Sequence, residues 1–260
     1  PLLVGVILAL IFALCIFGGS KQISKITEVL VPFMGIFYLA VALFVTVTHY
    51  TLIPKMFSDI FSNAFDIRAI FGGFTGSCVM NGIKRGLFSN EAGVGSAPNA
   101  AASAAVSHPV KQGLVQMLSV FIDTILICSA TACLLLCSGV APSEELKGMP
   151  WVQAAASESL GSFGTIFITV ALCLFAFTTL IGNFYYAEMG LKYLCGKTPG
   201  KTLLNLFRVI AALIVLAGSV MEFGLVWSTA DVLMGFMALI NLPVILLLGG
   251  TAIRCMKDYM

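Results

Sequence analysis

Charged side chains are scarce in this sequence. Asp, Glu, Lys and Arg make up only 10% of the 260 residues, whereas 59% are hydrophobic. A soluble domain carries about 25% charged residues, so water is a poor solvent for most of this surface. The formal net charge is only +2, and no basic patch of the kind that binds nucleic acid is present. The composition therefore excludes an ordinary soluble domain and gives no reason to expect a nucleic-acid partner.

Residues that build enzyme active sites and metal centres are also few. The chain has two histidines and neither an HExxH nor a GxSxG motif, so an intramembrane enzyme is only a remote alternative. The eight cysteines show no CxxC or metal-ligand spacing and lie mostly inside apolar stretches. We interpret them as small packed residues, and we expect no catalytic residue and no cofactor.

Long hydrophobic runs are what the chain has instead. Several approach or exceed the roughly 18 residues needed to cross the hydrocarbon of a bilayer. Backbone in lipid must satisfy its own hydrogen bonds, so each run is predicted to be a helix. The predicted fold class is an all-α membrane protein. Its seven segments are expected at about 2–17, 29–50, 70–106 with an interruption, 113–138, 160–187, 203–220 and 224–250.

Positive charges fall mostly on one side of the membrane when these segments are given alternating sides. One side receives Lys21, Lys25, Lys111, Lys192, Lys197, Lys201, Arg254 and Lys257, and the other receives Lys55, Arg68 and Lys147. Short cytoplasmic loops are rich in Lys and Arg. The regions predicted to be cytoplasmic, in a cell membrane (plasma or inner), are therefore the loops at 18–28, 107–112 and 188–202 and the C-terminal tail at 251–260.

The loop at 51–69, on the predicted outer side, mixes apolar with charged residues. Phe57, Ile60 and Phe61 stand close to Asp59 in the sequence. This mixture favours a short amphipathic helix that lies in the membrane interface.

The stretch RGLFSNEAGVGSAP, residues 85–98, interrupts the third predicted segment. Gly93 and Gly95 tolerate backbone angles that a helix does not, and Pro98 suits the first turn of a new helix. Two half-helices are therefore predicted at 75–88 and 96–106, with the break at about 88–96.

Polar groups beside this break point to a binding site. Non-helical backbone at membrane depth persists only where protein buries it or where it lines a water-filled cavity. An intramembrane carboxylate such as Glu91 is costly and usually functional, and Asn90 stands next to it. Small residues around the break, among them Gly93, Ser96 and Ala100, also form stripes that pack helices together. Packing explains these small residues, but it does not explain Glu91 and Asn90.

A longer stretch resembles a known family. GIKRGLFSNEAGVGSAPNAAASAAVSHPVKQG, followed by FIDTILICSATACLLL, is similar to the alanine or glycine:cation symporters, also called sodium:alanine symporters. The resemblance implies a leucine-transporter-like fold of two inverted five-helix repeats that works by alternating access. Residues 70–250 would form the second repeat and 1–50 the last two helices of the first. The first three helices would be absent from this sequence, so the fragment alone is expected not to transport.

The resemblance also implies which residues bind substrate and ion. The substrate would be a small neutral amino acid such as alanine or glycine, and the coupling ion would be Na⁺. The substrate-binding residues would be Ser89, Asn90, Glu91, Ala92, Gly93, Ser96, Thr179 and Asn183. Thr178 and Thr179 would give Na⁺ two oxygen ligands, as hard cations prefer. From the residues alone, back-bonding of these hydroxyls to their own helix is favoured over sodium binding, and the resemblance reverses that order.

Three further expectations concern specificity and charge. Asn183 stands where family members often have tryptophan, so a broader substrate range is expected. Asp123 is expected to be an ion partner of Lys84 or Arg85, and Arg85 is a candidate outer gate. Proton coupling through Glu91 or Asp123, or another small substrate, is the alternative function.

Two other residues in apolar segments have simpler interpretations. Arg208 is predicted to snorkel to the membrane surface or to pair across helices. Asn241 and Pro243 are predicted to kink the last helix.

Overall fold

The structure is a computed structural model, and the regular secondary structure in the part of the chain that it describes is all helical. That part comprises residues 2–18, 20–65, 78–141, 143, 146, 148–196 and 199–260, with backbone alone for 20–27 and 78. The helices are α1 (Leu2–Phe17), α2 (Ser20–Thr48), α3 (Ile53–Ala64), α4 (Cys78–Asn90), α5 (Ala97–Ala101), α6 (Pro109–Phe121), α7 (Cys128–Cys137), α8 (Met149–Leu160), α9 (Ser162–Leu194), α10 (Lys201–Val220) and α11 (Phe223–Tyr259). A 3₁₀ turn at Tyr50–Leu52 precedes α3, and a π-helical turn at Ile122–Ile127 joins α6 to α7.

Five helical segments are long and apolar enough to cross a membrane. They are Glu28–Thr48, Pro109–Cys137, Ser162–Leu194, Lys201–Val220 and Phe223–Tyr259. Helix α1 is apolar but shorter, with 16 residues. The prediction of an all-α membrane protein with several crossings is confirmed, whereas the leucine-transporter-like arrangement stays a prediction. The predicted start of the interrupted segment, 70–77, and the end of the outer loop, 66–69, lie outside the described residues.

The chain divides into two compact units, and each is described here by itself. Unit 1 comprises residues 1–30, 91–117 and 176–260, and unit 2 comprises 31–90 and 118–175. The division therefore falls inside the predicted site, after the last residue of α4.

The core of unit 1 joins α1, the second half of α9 and α10. Phe12 and Ile16 of α1 are buried against Ile181 and Phe184 of α9. The Phe12 and Phe184 rings meet edge to face, with centroids 5.8 Å apart, a favourable aromatic geometry. Unit 1 thus holds the end of α9 that carries the predicted sodium ligands.

The core of unit 2 joins α2, α7, α8 and the first half of α9. The Tyr38 hydroxyl lies 2.8 Å from Thr131 Oγ1, and the Tyr38 ring packs edge-on against Phe175 at 5.6 Å. A Cβ at Gly164 would lie 2.6 Å from the Ala156 carbonyl carbon, so only glycine lets α9 approach α8 this closely. Unit 2 also holds α4 and the π-helical turn at Ile122–Ile127.

Helix α3 lies in the predicted outer loop. Met56 is buried, and its Sδ accepts a hydrogen bond from the Cys137 thiol at 3.6 Å. Phe57, Ile60 and Phe61 of the same helix are exposed. A helix with exposed aromatic residues suits a membrane interface, and that location stays a prediction.

Candidate functional site

The interruption predicted at 88–96 is a non-helical stretch of residues 91–96 in the structure. Gly93 has φ +90° and Gly95 has φ +101°. Glu91 has φ +53°, and it is the one non-glycine residue with positive φ among those that the structure describes. For such a residue the left-handed region costs on the order of 1 kcal/mol. A strained acidic residue at a break is an arrangement that clusters at functional sites.

The second half-helix is shorter than the sequence predicts. Helix α5 ends at Ala101 rather than near 106. The Ser103 hydroxyl donates to the Ala100 carbonyl at 2.8 Å, and the Ser103 N–H bonds to the same carbonyl at 3.1 Å. These local bonds compete with continued α-helix. A helix of five residues also has only a small dipole.

In unit 1 the side chain of Glu91 folds back over the break. Its Oε2 accepts a hydrogen bond from the hydroxyl of Ser96, which is buried. No lysine or arginine of the described chain forms an ion pair with Glu91. The carboxylate is therefore held by a hydroxyl and has no described cation to neutralise it.

Asn241 of α11 holds the middle of the break, a contact that the sequence did not predict. Its Nδ2 donates to the Gly93 carbonyl at 2.9 Å. A Cβ at Gly95 would lie 3.0 Å from Asn241 Cγ, so glycine is needed for this approach. A sequence signal did exist, since Asn241 is the only polar residue in 232–250.

In unit 2 the last two residues of α4 contact the π-helical turn. Ser89 Oγ donates to Asp123 Oδ2 at 2.7 Å, and Asn90 Nδ2 donates to Thr124 Oγ1 at 3.0 Å. The Arg85 guanidinium lies over the Phe88 ring, 5.9 Å from its centroid. The contact that the structure shows for Asp123 is thus a hydroxyl, and its ion pair with Lys84 or Arg85 stays a prediction.

The residues predicted on α9 all lie in unit 1, on different faces of the helix. Thr178 is buried, whereas Thr179 and Asn183 are exposed. Successive residues of a helix are turned by about 100°, while residues four apart share a face. Thr179 and Asn183 therefore lie on one face, and the Thr178 hydroxyl lies on another.

A second buried carboxylate lies further along α9. Lys192 Nζ is 2.6 Å from Glu188 Oε1, and Arg208 Nη2 of α10 is 3.8 Å from Oε2. The Arg208 guanidinium also lies over the Phe17 ring at 5.6 Å. Arg208 thus pairs across helices, one of its two predicted arrangements. This cluster is charge-paired and resembles a structural ion pair more than a binding site.

The fold and the candidate site together define the class of protein. It is a multi-pass α-helical membrane protein, and a non-helical stretch that carries a carboxylate separates two of its shorter helices, α4 and α5. The sequence profile of the "Sodium:alanine symporter family" matches residues 1–260, and the chain belongs to that family. The family resemblance seen in the sequence is confirmed.

Curated relatives are named as transporters and not as enzymes. The chain is 44% identical over 99% of its length to the amino-acid carrier protein AlsT of Bacillus subtilis (strain 168). It is 41% identical over 99% of its length to the "Probable sodium/glutamine symporter GlnT" of the same organism. It is 40% identical over its full length to the sodium/alanine symporter AgcS of Methanococcus maripaludis. The chain spans 54%, 53% and 57% of these relatives, about half of their length.

Proposed function

We propose that the whole protein is a sodium-coupled symporter of small neutral amino acids, including alanine and glycine, that works by alternating access. The observation that carries this proposal is Glu91, a carboxylate at a break in a membrane segment with no described cation beside it. Family membership supports the proposal, as does the name of the relative AgcS, a sodium/alanine symporter.

The charge of Glu91 suits the ammonium group of an amino acid. A carboxylate at membrane depth needs a compensating partner, and the described hydrogen-bond partner, the Ser96 hydroxyl, is a neutral group. An incoming ammonium would supply the missing positive charge and a charge-assisted hydrogen bond. Small residues next to Glu91, namely Ala92 and Gly93, leave room for a ligand. The parts played by Ser89 and Asn90 stay predictions.

Sodium would be bound through hydroxyl oxygens of α9. Thr178 is a buried hydroxyl in a membrane-spanning helix, and oxygen is the ligand that hard cations prefer. Thr179 lies on another face of α9. We therefore assign Thr178 the larger part in sodium binding.

Proton coupling is the second candidate, and one observation favours it. Glu91 and Asp123 each accept a hydrogen bond from a serine hydroxyl, and no described lysine or arginine pairs with either. A carboxyl group at membrane depth with neutral partners is suited to take up and release a proton.

Uptake by liposomes that contain the whole protein tests these alternatives. Labelled alanine uptake is measured with an inward sodium gradient, with an inward proton gradient and with neither. We expect alanine to accumulate in the liposomes with the sodium gradient and not in the other two arms. Accumulation of alanine with the proton gradient and without sodium would support proton coupling through Glu91 or Asp123 instead. Absence of uptake in all arms would contradict amino-acid symport.

Residues 1–260 by themselves are proposed not to transport. They span about half of the length of the relatives, and a site at the interface between inverted repeats takes its ligands from both repeats. Liposomes that contain only these residues should show no gradient-driven alanine uptake, with AgcS as the positive control. Saturable uptake by the 260 residues would contradict the inverted-repeat assignment.

The loops at 18–28, 107–112 and 188–202 and the tail at 251–260 are proposed to face the cytoplasm of a cell membrane. The asymmetric distribution of Lys and Arg supports this orientation. Single cysteines placed at Lys201 and Lys55, in a background without native cysteines, should differ in their reaction with an impermeant thiol reagent on intact cells. Lys55→Cys should react and Lys201→Cys should not, and the reverse pattern would invert the topology.

A further inference from the structure

Helix α11 contains one polar side chain deep within its apolar part. Residues 232–250 are all apolar or glycine except Asn241. An amide in a membrane-spanning helix is unfavourable unless it finds a hydrogen-bond partner. The position therefore calls for a specific contact, and an apolar residue would serve packing better.

The partner of Asn241 is backbone rather than another side chain. Its Nδ2 donates to the Gly93 carbonyl at 2.9 Å, across 148 residues of sequence. Gly93 belongs to the non-helical stretch, and its φ is +90°. Non-helical backbone at membrane depth must find partners outside its own segment or line a water-filled cavity.

The neighbouring carbonyls of the break are satisfied from nearby in the chain. Glu91 O accepts the Val94 N–H at 3.2 Å, and Gly95 O accepts Asn99 Nδ2 at 3.2 Å. Gly93 O instead depends on a side chain from a distant helix. Asn241 thus provides the described side-chain tie between the middle of the break and α11.

Glycine 95 makes this contact possible. Its φ of +101° is unfavourable for any residue with a Cβ. A Cβ there would also lie 3.0 Å from Asn241 Cγ and 3.2 Å from Asn241 Oδ1. The backbone of the break and the amide of Asn241 are therefore packed against each other without space for another atom.

We infer that Asn241 is a positioning residue that fixes the conformation of residues 91–96, and through them the carboxylate of Glu91, for binding of the amino acid. The inference deepens the proposed function and rests on it. The hydrogen bond from Asn241 to the Gly93 carbonyl holds this turn in place and prevents the segment from relaxing toward helix. Losing it should weaken substrate binding more than it slows the transport cycle.

Two substitutions separate the hydrogen bond from packing. Asn241→Leu keeps nearly the same volume but cannot donate, whereas Asn241→Gln keeps the amide on a longer stem. We expect Asn241→Leu to raise the KM for alanine roughly 10-fold with a smaller change in kcat, because the Gly93 carbonyl loses its described donor and the binding segment loses its fixed conformation. Asn241→Gln should restore most of the affinity. Thr229→Val is the matched control, since the Thr229 hydroxyl bonds only to the Leu225 carbonyl of its own helix.

Hydrogen–deuterium exchange reads the positioning without relying on transport. In detergent, amides of residues 91–96 should exchange roughly 10-fold faster in Asn241→Leu than in the wild type, with α10 and the Thr229→Val control unchanged. Wild-type exchange at 91–96 in Asn241→Leu would overturn the inference. Equal KM values for the Leu and Gln variants would overturn it as well. A wild type without amino-acid uptake would contradict the proposed function, and the exchange experiment would still decide whether Asn241 positions the break.

Discussion

Glu91 and Glu188 are two acidic residues of the same unit, and their surroundings differ in every respect that matters for function. Glu188 is buried in a regular helix and contacts two cations, Lys192 and Arg208. Glu91 has positive φ, lies outside any helix and accepts a hydrogen bond from the hydroxyl of Ser96. A carboxylate with its charge already compensated stabilises the fold, whereas one without a cation can take a cationic ligand.

The largest expected effect on transport comes from Glu91→Gln. The substitution keeps the shape but removes the charge that we assign to the substrate ammonium. A charge-assisted hydrogen bond contributes up to about 3 kcal/mol, so kcat/KM for alanine uptake should fall roughly 100-fold. Thermal stability in detergent should change little, since no described ion pair is broken. The exposed Glu158 provides the control variant Glu158→Gln. Uptake at the wild-type level in Glu91→Gln would contradict the proposed functional difference between Glu91 and Glu188.

Glu188→Gln should show the opposite pattern. It leaves Arg208, which is mostly buried, and Lys192 without their acceptor. Breaking a buried pair costs about 3–5 kcal/mol, and the partial exposure of Lys192 reduces the expected loss of stability to about 2 kcal/mol. Thermal denaturation in detergent measures this loss, while uptake per folded molecule should remain near the wild-type value.

A second substitution checks the cause of that loss. Adding Lys192→Met to Glu188→Gln removes one of the uncompensated charges, so the double variant should recover part of the stability. If the double variant is less stable than Glu188→Gln alone, charge pairing is not what Glu188 contributes to stability. A selective loss of uptake in Glu188→Gln would break the comparison with Glu91.

Thr178 and Thr179 extend the comparison from carboxylates to hydroxyls. Thr178→Ala should raise the sodium concentration for half-maximal uptake roughly 10-fold, as expected for the loss of one oxygen ligand worth about 1.4 kcal/mol. Thr179→Ala should have a smaller effect, because its hydroxyl lies on another face of α9. Sodium activation curves measure both effects, with Thr229→Val as the control. An unchanged curve in the double alanine variant would favour proton coupling instead.

The smallest expected effect concerns substrate size at Asn183. Asn183→Trp adds a bulky wall on the exposed face that Asn183 shares with Thr179. One methylene in a pocket is worth about 1–3 kcal/mol of discrimination, so competition by 2-aminobutyrate and valine should weaken roughly 5-fold relative to serine. Competition against labelled alanine uptake measures the change. An identical competition profile in both forms would show that residue 183 does not line the pocket.

The crossings and the break could be predicted because their causes are local. Apolar runs such as 203–220 become helices since lipid offers no other hydrogen-bond partners, and α10 runs from Lys201 to Val220. The glycines of the break marked its place, and both have positive φ. The end of α5 was placed too late because the competing bonds of Ser103 to Ala100 are too weak a signal to recognise in sequence.

The partners of the polar residues could not be predicted in the same way. The kink at Asn241 and Pro243 stays a prediction, and the bond from the Asn241 amide to the Gly93 carbonyl is an additional contact that the sequence did not predict. Asp123 was expected to pair with a base, and the contact that the structure shows is the Ser89 hydroxyl. Each of these contacts joins segments that are far apart in sequence, so composition and spacing carry no record of it.

The sequence by itself determined that this protein has several membrane-crossing helices and that regular helix is interrupted at an acidic residue. Those features follow from hydrophobic length and from the backbone freedom of glycine, which act over a few residues. Only the tertiary structure decided which carboxylate has described cations beside it and which has none. Glu188 meets Arg208 because α9 packs against α10, and the backbone next to Glu91 is held open because α11 brings Asn241 to it. Helix packing sets the distance between each carboxylate and the nearest cation. In a medium of low dielectric constant, that distance decides how strongly the charge of the carboxylate is compensated.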